Sequence, residues 1–460
     1  MSEAVRVVGG GPAGVEAAWQ IARAGVRAIL CEMRPQKMTP AHKTGHLAEL
    51  VCSNSLRAIA LENAVGLLKE EMARLGSLVI EAAHSACVPA GGALAVDRDE
   101  FCSSVESRLA SHPLIELRRE EITSIEPGVV TIAACGPLAS DEFAASLERL
   151  CGMQRLHYYD AASPIVASES LDRSRVFEAS RYGKGAGPDY LNIPLDRDTY
   201  LEFVSGLIGG EKHQPHGFEK DQAAGKVTYF EGCLPIEEMA RRGVDTLRFG
   251  PLKPVGIVDP HTGVRPYAVV QLRRENAAGT AYNLVGFQTR LSWPAQKEVF
   301  AKLPGLQNAE WIRLGVMHRN TFVDSPKVLA DDLSLRVAPD VFLAGQITGS
   351  EGYVEAAATG IVAGVNAARR ARGDDRRFVP PAQTALGSLL AYLRDSTSDD
   401  FQPQNVSFAY MAPLDGAVRD KRLRRRKMAD RALAIMDGLA ADLELDRTER
   451  SSRDVMPAGL

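Results

Sequence analysis

The sequence predicts an α/β fold in which one parallel-sheet domain is assembled from both halves of the chain, with an α+β domain inserted between them. A glycine-rich turn at residues 9–14 follows a strand-like run, and a second strand and glycine-rich turn lie at 341–349. A helix-like segment follows each turn, which is the order expected of units in a parallel sheet. Residues 160–315 contain many turn residues and short strand-like runs, a pattern typical of a separate α+β unit.

The first glycine-rich segment has the pattern of a dinucleotide-binding turn. Gly9 permits a tight turn, Gly11 lets the backbone approach a pyrophosphate, and Gly14 lets the following helix pack closely on the strand. The helix N-terminus then faces phosphate charge. A second strand, residues 26–32, ends in Glu32, whose carboxylate would accept hydrogen bonds from a ribose. The predicted cofactor contacts of this segment are Gly9, Gly10, Gly11, Pro12, Ala13, Gly14 and Glu32.

The second glycine-rich segment closes the same predicted sheet. It precedes a helix rich in small residues, and two-segment flavin folds bring the N-terminus of such a helix to the flavin. We therefore predict a glutathione-reductase-like (Rossmann-type) FAD-binding domain, with Gly345, Gly349 and Gly352 as further cofactor contacts. The predicted division of the chain is 1–159 and 316–440 for the FAD-binding domain, 160–315 for the inserted α+β domain, and 441–460 for a tail.

Composition excludes several classes of protein. The chain has 54 Lys and Arg against 58 Asp and Glu, so any nucleic-acid contact must come from a local basic surface. No run approaches the roughly 18 apolar residues that a membrane-spanning helix needs. Seven cysteines without a CxxC pair disfavour a disulfide framework and a zinc ribbon, and we predict no metal site. These features indicate a cytoplasmic protein.

Three further motifs carry a family resemblance: AELVCSNSLRA at 48–58, YFEGCLPIEEMARRG at 229–243 and GQITGSEGYVEAAATG at 345–360. With the opening segment, they resemble the bacterial folate- and FAD-dependent tRNA (uracil-5-)-methyltransferases over roughly residues 5–440. The resemblance implies methylation of the T-loop uridine at tRNA position 54. It also implies FAD as cofactor, 5,10-methylenetetrahydrofolate as carbon donor, and NADH or NADPH as reductant.

Uracil methylation by this route requires a reactive thiol. Carbon 5 of uracil is a poor nucleophile, but a thiolate that adds to carbon 6 converts the ring to an enolate. The base must first leave its stack. The folate carries carbon at the formaldehyde level, so two further electrons are needed to make a methyl group, and a reduced flavin can supply them.

Two cysteines and one tyrosine fit this chemistry. Cys233 lies in a turn before the helix-like IEEMARR, where a helix dipole stabilises a thiolate; the resemblance implies that it attacks uracil carbon 6. Cys52 precedes Ser53, Asn54 and Ser55, which predict the N-cap of a helix running from residue 56, and the resemblance implies a role on the flavin side. The sequence leaves open which cysteine takes which role. The resemblance also sets Tyr353 against a flavin or folate ring, with core packing as the equal alternative.

Basic residues near the C-terminus predict the tRNA contact. Residues 418–431 hold 8 basic and 2 acidic side chains, which is a strong local attraction for phosphate in an otherwise acidic protein. Apolar residues from Val418 to Met436 are spaced for one face of a helix. The predicted RNA contacts are Arg422, Arg424, Arg425, Arg426 and Lys427, with Arg241 and Arg242 after the Cys233 turn.

Three other functions stay open at this level. The same chemistry could act on a ribosomal RNA uridine. A plain NAD(P)H-dependent flavin oxidoreductase explains the glycines but gives the two cysteine motifs and the basic helix no task. A noncatalytic RNA-binding protein with a structural flavin is the third alternative. The sequence indicates no oligomeric state and does not separate NADH from NADPH.

Overall fold

The structure, a computed structural model, describes residues 4–152, 156–161, 163–184, 187–213, 234–315, 317–396 and 401–454. Its strands, in chain order, are β1 (Ala4–Val8), β2 (Arg27–Cys31), β3 (Ser55–Ala58), β4 (Cys87–Val88), β5 (Ala93–Val96), β6 (Ile115–Arg118), β7 (Thr131–Ala133), β8 (Leu156–Ala161), β9 (Ile165–Ala167), β10 (Phe177–Glu178), β11 (Tyr190–Leu195), β12 (Ala268–Arg274), β13 (Ala281–Leu284), β14 (Trp311–Arg313), β15 (Met317–Phe322), β16 (Ser334–Leu335) and β17 (Ala338–Leu343).

The α-helices of the described residues are α1 (Pro12–Arg23), α2 (Ala64–Arg74), α3 (Leu78–Ser85), α4 (Arg98–Ser111), α5 (Asp141–Cys151), α6 (Arg197–Gly209), α7 (Ile236–Arg241), α8 (Thr246–Phe249), α9 (Trp293–Phe300), α10 (Ser325–Val328), α11 (Tyr353–Ala371), α12 (Ala385–Asp395) and α13 (Lys421–Asp454). Among them, none combines the length and the apolar character needed to cross a lipid bilayer.

A six-stranded sheet joins the two ends of the chain, in the order β16-β17-β7-β1-β2-β6. The pairs β1/β2, β1/β7, β7/β17 and β2/β6 are parallel, and only β16 runs antiparallel to its neighbour. β1 therefore lies beside β2 from the N-terminal half and is separated by one strand from β17 of the C-terminal half. This arrangement confirms the predicted α/β class and the parallel sheet built from both halves of the chain.

Small residues bring helices α1 and α11 into close contact over this sheet. A Cβ atom built on Gly360 of α11 would lie 2.3 Å from the carbonyl oxygen of Ala13, and one on Gly364 would lie 2.7 Å from that of Ala17. Only glycine leaves room for such an approach of two helices. The contact holds the two glycine-rich turns together, because each turn precedes one of these helices.

Replacing Gly360 by Ala is expected to lower the free energy of unfolding by about 1–3 kcal/mol, because the added methyl group needs the space of the Ala13 carbonyl. Thermal unfolding followed by circular dichroism measures the change. Gly438→Ala is the matched control: this exposed glycine inside α13 has open space around an added Cβ, so alanine should stabilise the helix by up to about 1 kcal/mol. Equal melting temperatures for the two variants would contradict the packing argument.

A second six-stranded sheet, entirely antiparallel, has the order β10-β11-β12-β13-β9-β14. Its strands lie within the predicted insertion at 160–315, and helices α6, α7 and α9 share its hydrophobic core. Strands β8 and β15, which flank this region in the sequence, form a separate antiparallel pair. The predicted boundary at 159/160 falls within β8, and the boundary at 315/316 falls just before β15. The exact domain boundaries stay a prediction.

One predicted element is wrong. The segment after Cys52 is strand β3, and helix α2 begins only at Ala64. Ser55 pairs with Ala95 of β5, and the Asn54 side chain donates to the Val96 carbonyl. These tertiary bonds use the residues that the sequence predicted as a helix cap, and Cys52 therefore does not precede a helix.

The C-terminal helix also differs from the prediction. α13 continues from Lys421 to Asp454 across the predicted start of a tail at residue 441, and residues 455–460 lie outside the described part of the chain. Its apolar face begins later than predicted: Met428 and Met436 are buried, whereas Leu423 is 49% exposed.

Candidate active site

A cavity of about 990 Å³, counting its solvent-open mouth, lies at the carboxyl ends of the parallel strands. This position is where open α/β sheets bind ligands. Its walls combine the β1–α1 turn, the end of β2, the segment after β7 and the start of α11. The predicted site residues on these walls are Gly9, Gly10, Gly11, Pro12, Ala13, Glu32, Gly345 and Tyr353.

The glycines of the first turn meet different steric demands. Gly9 has φ 105°, and a Cβ there would lie 2.4 Å from the Ala134 carbonyl oxygen. A Cβ on Gly14 would lie 1.8 Å from the Gly9 oxygen, whereas one on Gly11 meets no atom within 4 Å. Gly11 therefore leaves an uncovered backbone beside the N-terminus of α1, which is the geometry that a pyrophosphate group needs.

Glu32 is held at the cavity wall by backbone and by an arginine. Its Oε2 accepts a hydrogen bond from the Gly10 N–H at 2.7 Å, and its Oε1 accepts from Arg34 Nε at 2.9 Å. Burial raises its pKa, but the Arg34 bonds outweigh burial, so the net direction is down. Arg34 is buried and also pairs with Glu49 at 3.0 Å. Burial, with Arg34 nearby, lowers the pKa of His42 to about 4, so this cavity imidazole is neutral at pH 7.

Cys52 does not line this cavity, but it contacts Tyr353, which does and which lies 301 residues away in the sequence. The Cys52 Sγ lies 3.0 Å from Tyr353 Oη, and the Cys52 N–H donates to the same oxygen at 2.8 Å. Burial and the neighbouring sulfur raise the pKa of Tyr353 well above its ordinary value. The phenol therefore stays protonated at neutral pH and can donate its hydrogen bond to sulfur. A phenol donor stabilises a thiolate more than a thiol.

Two arginines from the second sheet hold the Cys52 loop. Arg313 of β14 donates from Nη1 to the Val51 carbonyl at 2.7 Å and from Nη2 to the Cys52 carbonyl at 3.4 Å. Arg273 of β12 donates to Ser53 Oγ at 2.9 Å and to Asn54 Oδ1 at 3.0 Å. The loop is thus fixed from the inserted region on one side and by Tyr353 on the other.

These arginines make the surroundings of Cys52 cationic. Burial, with Arg98 nearby, lowers the pKa of Arg313 to about 10, which still leaves it charged at pH 7. Arg98 lies 3.2 Å from the buried Glu275, and its Nε and Nη2 have no hydrogen-bond partner among the described residues. Arg57 pairs with the buried Glu355 of α11. A positive environment favours the thiolate form of a cysteine.

Several predicted residues have other positions. Gly14, Gly349 and Gly352 do not line the cavity; Gly14 packs on Gly9, and Gly349 has its backbone against the Phe401 ring. Gly352 is the N-cap of α11. Cys233 lies outside the described residues, although the helix predicted after it is present as α7.

The predicted RNA contacts are exposed to different degrees. Arg424 and Lys427 are exposed and form no ion pair with a residue that the structure describes. Arg425 lies over the Phe408 ring, with 5.4 Å between the guanidinium carbon and the ring centroid. Arg422 lies 3.7 Å from Glu62, and Arg426 lies 3.2 Å from Asp430. Arg241 and Arg242 are exposed.

Sequence reasoning missed the arginines around the thiol. Arg273 lies inside the motif QLRRENAAGT, whose match to a family could have indicated it. Arg34 lies in the opening segment that carries the resemblance, whereas Arg313 stands in no motif that distinguishes it from a surface arginine. Their roles depend on burial and on long-range partners, which a single sequence does not contain.

The parallel sheet with two glycine-rich turns is typical of an enzyme that binds a dinucleotide cofactor. The Cys52–Tyr353 pair beside the cavity indicates that this class of enzyme here uses cysteine chemistry. The family model "Glucose inhibited division protein A" matches residues 4–375. The methylenetetrahydrofolate–tRNA-(uracil-5-)-methyltransferase TrmFO of Geobacter sulfurreducens is 55% identical over 437 residues, covering 95% of this chain and 99% of that protein. The enzyme of the same name from Pelobacter propionicus is 53% identical over 454 residues, with coverage of 99% and 97%.

The chain belongs to this methylenetetrahydrofolate–tRNA-(uracil-5-)-methyltransferase family. Among solved structures, Aquifex aeolicus GidA matches with a TM-score of 0.70 and 17% identity, over 98% of this chain and 76% of that one. At this identity the likeness shows the fold alone, and it confirms the predicted two-segment architecture.

Proposed function

We propose that this chain methylates carbon 5 of the T-loop uridine at position 54 of tRNA, with 5,10-methylenetetrahydrofolate as carbon donor and NADH or NADPH as reductant. The observation that carries the proposal is the Cys52–Tyr353 pair, with 3.0 Å between Sγ and Oη, in which Tyr353 lines the cavity at the glycine-rich turns. The names of the curated relatives agree with it. A tRNA substrate also supports a cytoplasmic location.

FAD fits the cavity because the open backbone at Gly11 can receive a pyrophosphate and the Glu32 carboxylate can receive a ribose. Gly10, Pro12 and Ala13 would complete the phosphate contacts, and Gly345 at the second turn would lie beside the flavin end. When bound and reduced by the nicotinamide, FAD supplies the hydride that completes the methyl group.

The two cysteines divide the chemistry at uracil. Cys233 adds its thiolate to carbon 6, which gives carbon 5 the electron density to bond the methylene carbon of the folate. Cys52 then takes the proton from carbon 5, and the bond between the methylene carbon and the folate nitrogen breaks, so that tetrahydrofolate leaves and an exocyclic methylene forms with Cys233 still bonded to carbon 6. One hydride added to this methylene gives the methyl group and expels the Cys233 thiolate as the C5=C6 double bond is restored. Tyr353 holds Cys52 through bonds to both its sulfur and its N–H.

Labelled methylenetetrahydrofolate tests this proposal directly. An unmodified tRNA transcript, the holoenzyme, the labelled folate and NADPH should give labelled 5-methyluridine at position 54. A ribosomal RNA fragment in place of tRNA tests the alternative target. Nicotinamide oxidation without label in any RNA would favour a plain flavin oxidoreductase, and RNA retention without turnover would favour a noncatalytic binder.

Two cations of α13 are expected to contact tRNA phosphate. Replacing Arg424 and Lys427 together by Gln should reduce the slope of log Kd against log salt by about two units, because each lost phosphate contact removes about 0.9. Filter binding between 50 and 300 mM salt measures the slope. Lys302→Gln with Arg377→Gln is the matched control, since both cations are ion-paired with carboxylates elsewhere. An unchanged slope in the α13 variant would contradict the assignment.

A further inference from the structure

Phe249, at the end of the one-turn helix α8, is 83% exposed, which is the highest exposure among the large apolar side chains of the described residues. Its neighbour Leu247 is fully buried, so α8 is anchored on one side and presents the phenyl ring on the other. Val244, Val258 and Val264 of the same segment of the chain are each more than half exposed. An exposed apolar group of this kind marks a contact surface.

The fully exposed charged side chains of the segment that carries this ring are all basic. Between residues 241 and 265, the exposed charged side chains are Arg241, Arg242, Lys253 and Arg265. The two acids of this stretch are occupied or covered: Asp245 pairs with Arg248 at 2.8 Å, and Asp259 is buried. In a protein with a formal net charge of −4, this is a local surface for a polyanion.

The later part of this segment lies on the face of the second sheet that also holds the Cys52 loop, whereas Leu247 of α8 packs with Val270 in the core on the opposite face. Ile257 packs against Val269 of β12, and Arg181, next to Tyr182, joins Gln271 of the same strand to the Val255 carbonyl. Arg273, which binds the Cys52 loop, follows on the same face. Four residues of extended strand separate Val269 from Arg273, a distance of about 13 Å.

We propose that Phe249 stacks on an unpaired base of the substrate tRNA while Arg241, Arg242, Lys253 and Arg265 contact the flanking phosphates. These five residues are called the Phe249 surface. The inference rests on the proposed function, because a uridine that leaves its stack for methylation also leaves its neighbouring bases without a stacking partner. An exposed aromatic ring bordered by cations is the group that single-stranded RNA segments use for this purpose.

The charge pattern favours RNA over a second copy of the chain. In a symmetric dimer the same patch faces itself, and the four cations of one copy would then face the same four cations of the other. A polyanion with exposed bases matches both the ring and the charges.

Substitution of Phe249 tests stacking directly. Fluorescence anisotropy of the holoenzyme with a labelled T-arm hairpin RNA should give a Kd about 5- to 150-fold higher for Phe249→Ala, the range for loss of one base–aromatic stack. Phe249→Trp should bind within about threefold of wild type, and Phe249→Leu should resemble Ala, because leucine is apolar but cannot stack. Bound FAD and the melting temperature, compared with those of wild type, show that each variant is folded.

Trp293→Ala is the matched control, because Trp293 is an aromatic residue that is 58% exposed in the same sheet domain but lies outside the basic segment 241–265. Its RNA affinity should equal that of wild type. Equal RNA affinity for Phe249→Ala and wild type would overturn the inference. If Phe249→Ala also changed the sedimentation coefficient while its RNA affinity stayed that of wild type, the ring would instead contact a second copy of the chain. A wild-type enzyme that binds RNA through Phe249 but gives no 5-methyluridine would instead refute the proposed function alone.

Discussion

Replacing Cys52 by Ala should lower the rate of 5-methyluridine formation by about 10²- to 10⁴-fold, the range for loss of a positioned acid–base group. The physical reason is that Tyr353 Oη and Arg313 hold the Cys52 loop in place, and alanine has no atom that can take the carbon 5 proton. Single-turnover transfer of labelled carbon from methylenetetrahydrofolate to tRNA measures the rate, and the flavin absorbance of the purified variant confirms that FAD is retained.

Cys87→Ala provides the control for this substitution. Cys87 is an exposed free cysteine on β4, so its loss should leave the transfer rate within about twofold of wild type. Cys52→Ser should recover only part of the lost rate, because a hydroxyl is a far weaker acid and base than a thiol at neutral pH. A fully active Cys52→Ala enzyme would remove Cys52 from the chemistry.

Replacing Arg313 by Met should slow methyl transfer by about 10²-fold, although Arg313 lies outside the cavity lining. Its guanidinium is the donor to the carbonyls of Val51 and Cys52, and a displacement of about 1 Å in a catalytic group costs about this factor. The carbonyls left without a donor should also lower the free energy of unfolding by about 2 kcal/mol.

A kinetic readout separates positioning from stability in this variant. If Arg313 positions Cys52, kcat should fall with little change in the KM for tRNA, and the rate of Cys52 alkylation by iodoacetamide should change. Arg313→Lys should recover little, because one ammonium cannot reproduce the two-pronged contact. Arg173→Met is the matched control: among the residues that the structure describes, this exposed arginine of the same domain contacts only Ser168 and the Tyr282 ring. A loss of stability without any change in kcat would contradict the positioning role.

The short-range part of the cofactor site followed from local sequence. Gly9, Gly14 and Glu32 stand at fixed offsets within one strand–turn–helix–strand unit, so their spacing is set by backbone geometry over about 25 residues. The positions of Gly11 and Gly345 in the cavity wall could be predicted from local sequence in the same way. Gly349 and Gly352 have the expected turn positions, but their place off the cavity wall depends on packing against Phe401 and on the start of α11.

Local rules failed where long-range bonds compete with them. Ser53, Asn54 and Ser55 form a strong helix-capping pattern, yet β5 supplies strand partners and Arg273 supplies donors to the same residues. Likewise, the helical spacing in α13 gave the correct element, but which side is buried was decided by packing: Leu423 is exposed and Met428 is covered.

The sequence by itself determined the fold class, the dinucleotide turn and the identity of the chemical groups, because these depend on residue types at short, fixed spacings. Only the tertiary structure brought Cys52 to Tyr353 across 301 residues and surrounded the thiol with Arg273 and Arg313. The reason is physical: a hydrogen bond between distant segments depends on how sheets and helices pack, and that packing is a property of the whole chain.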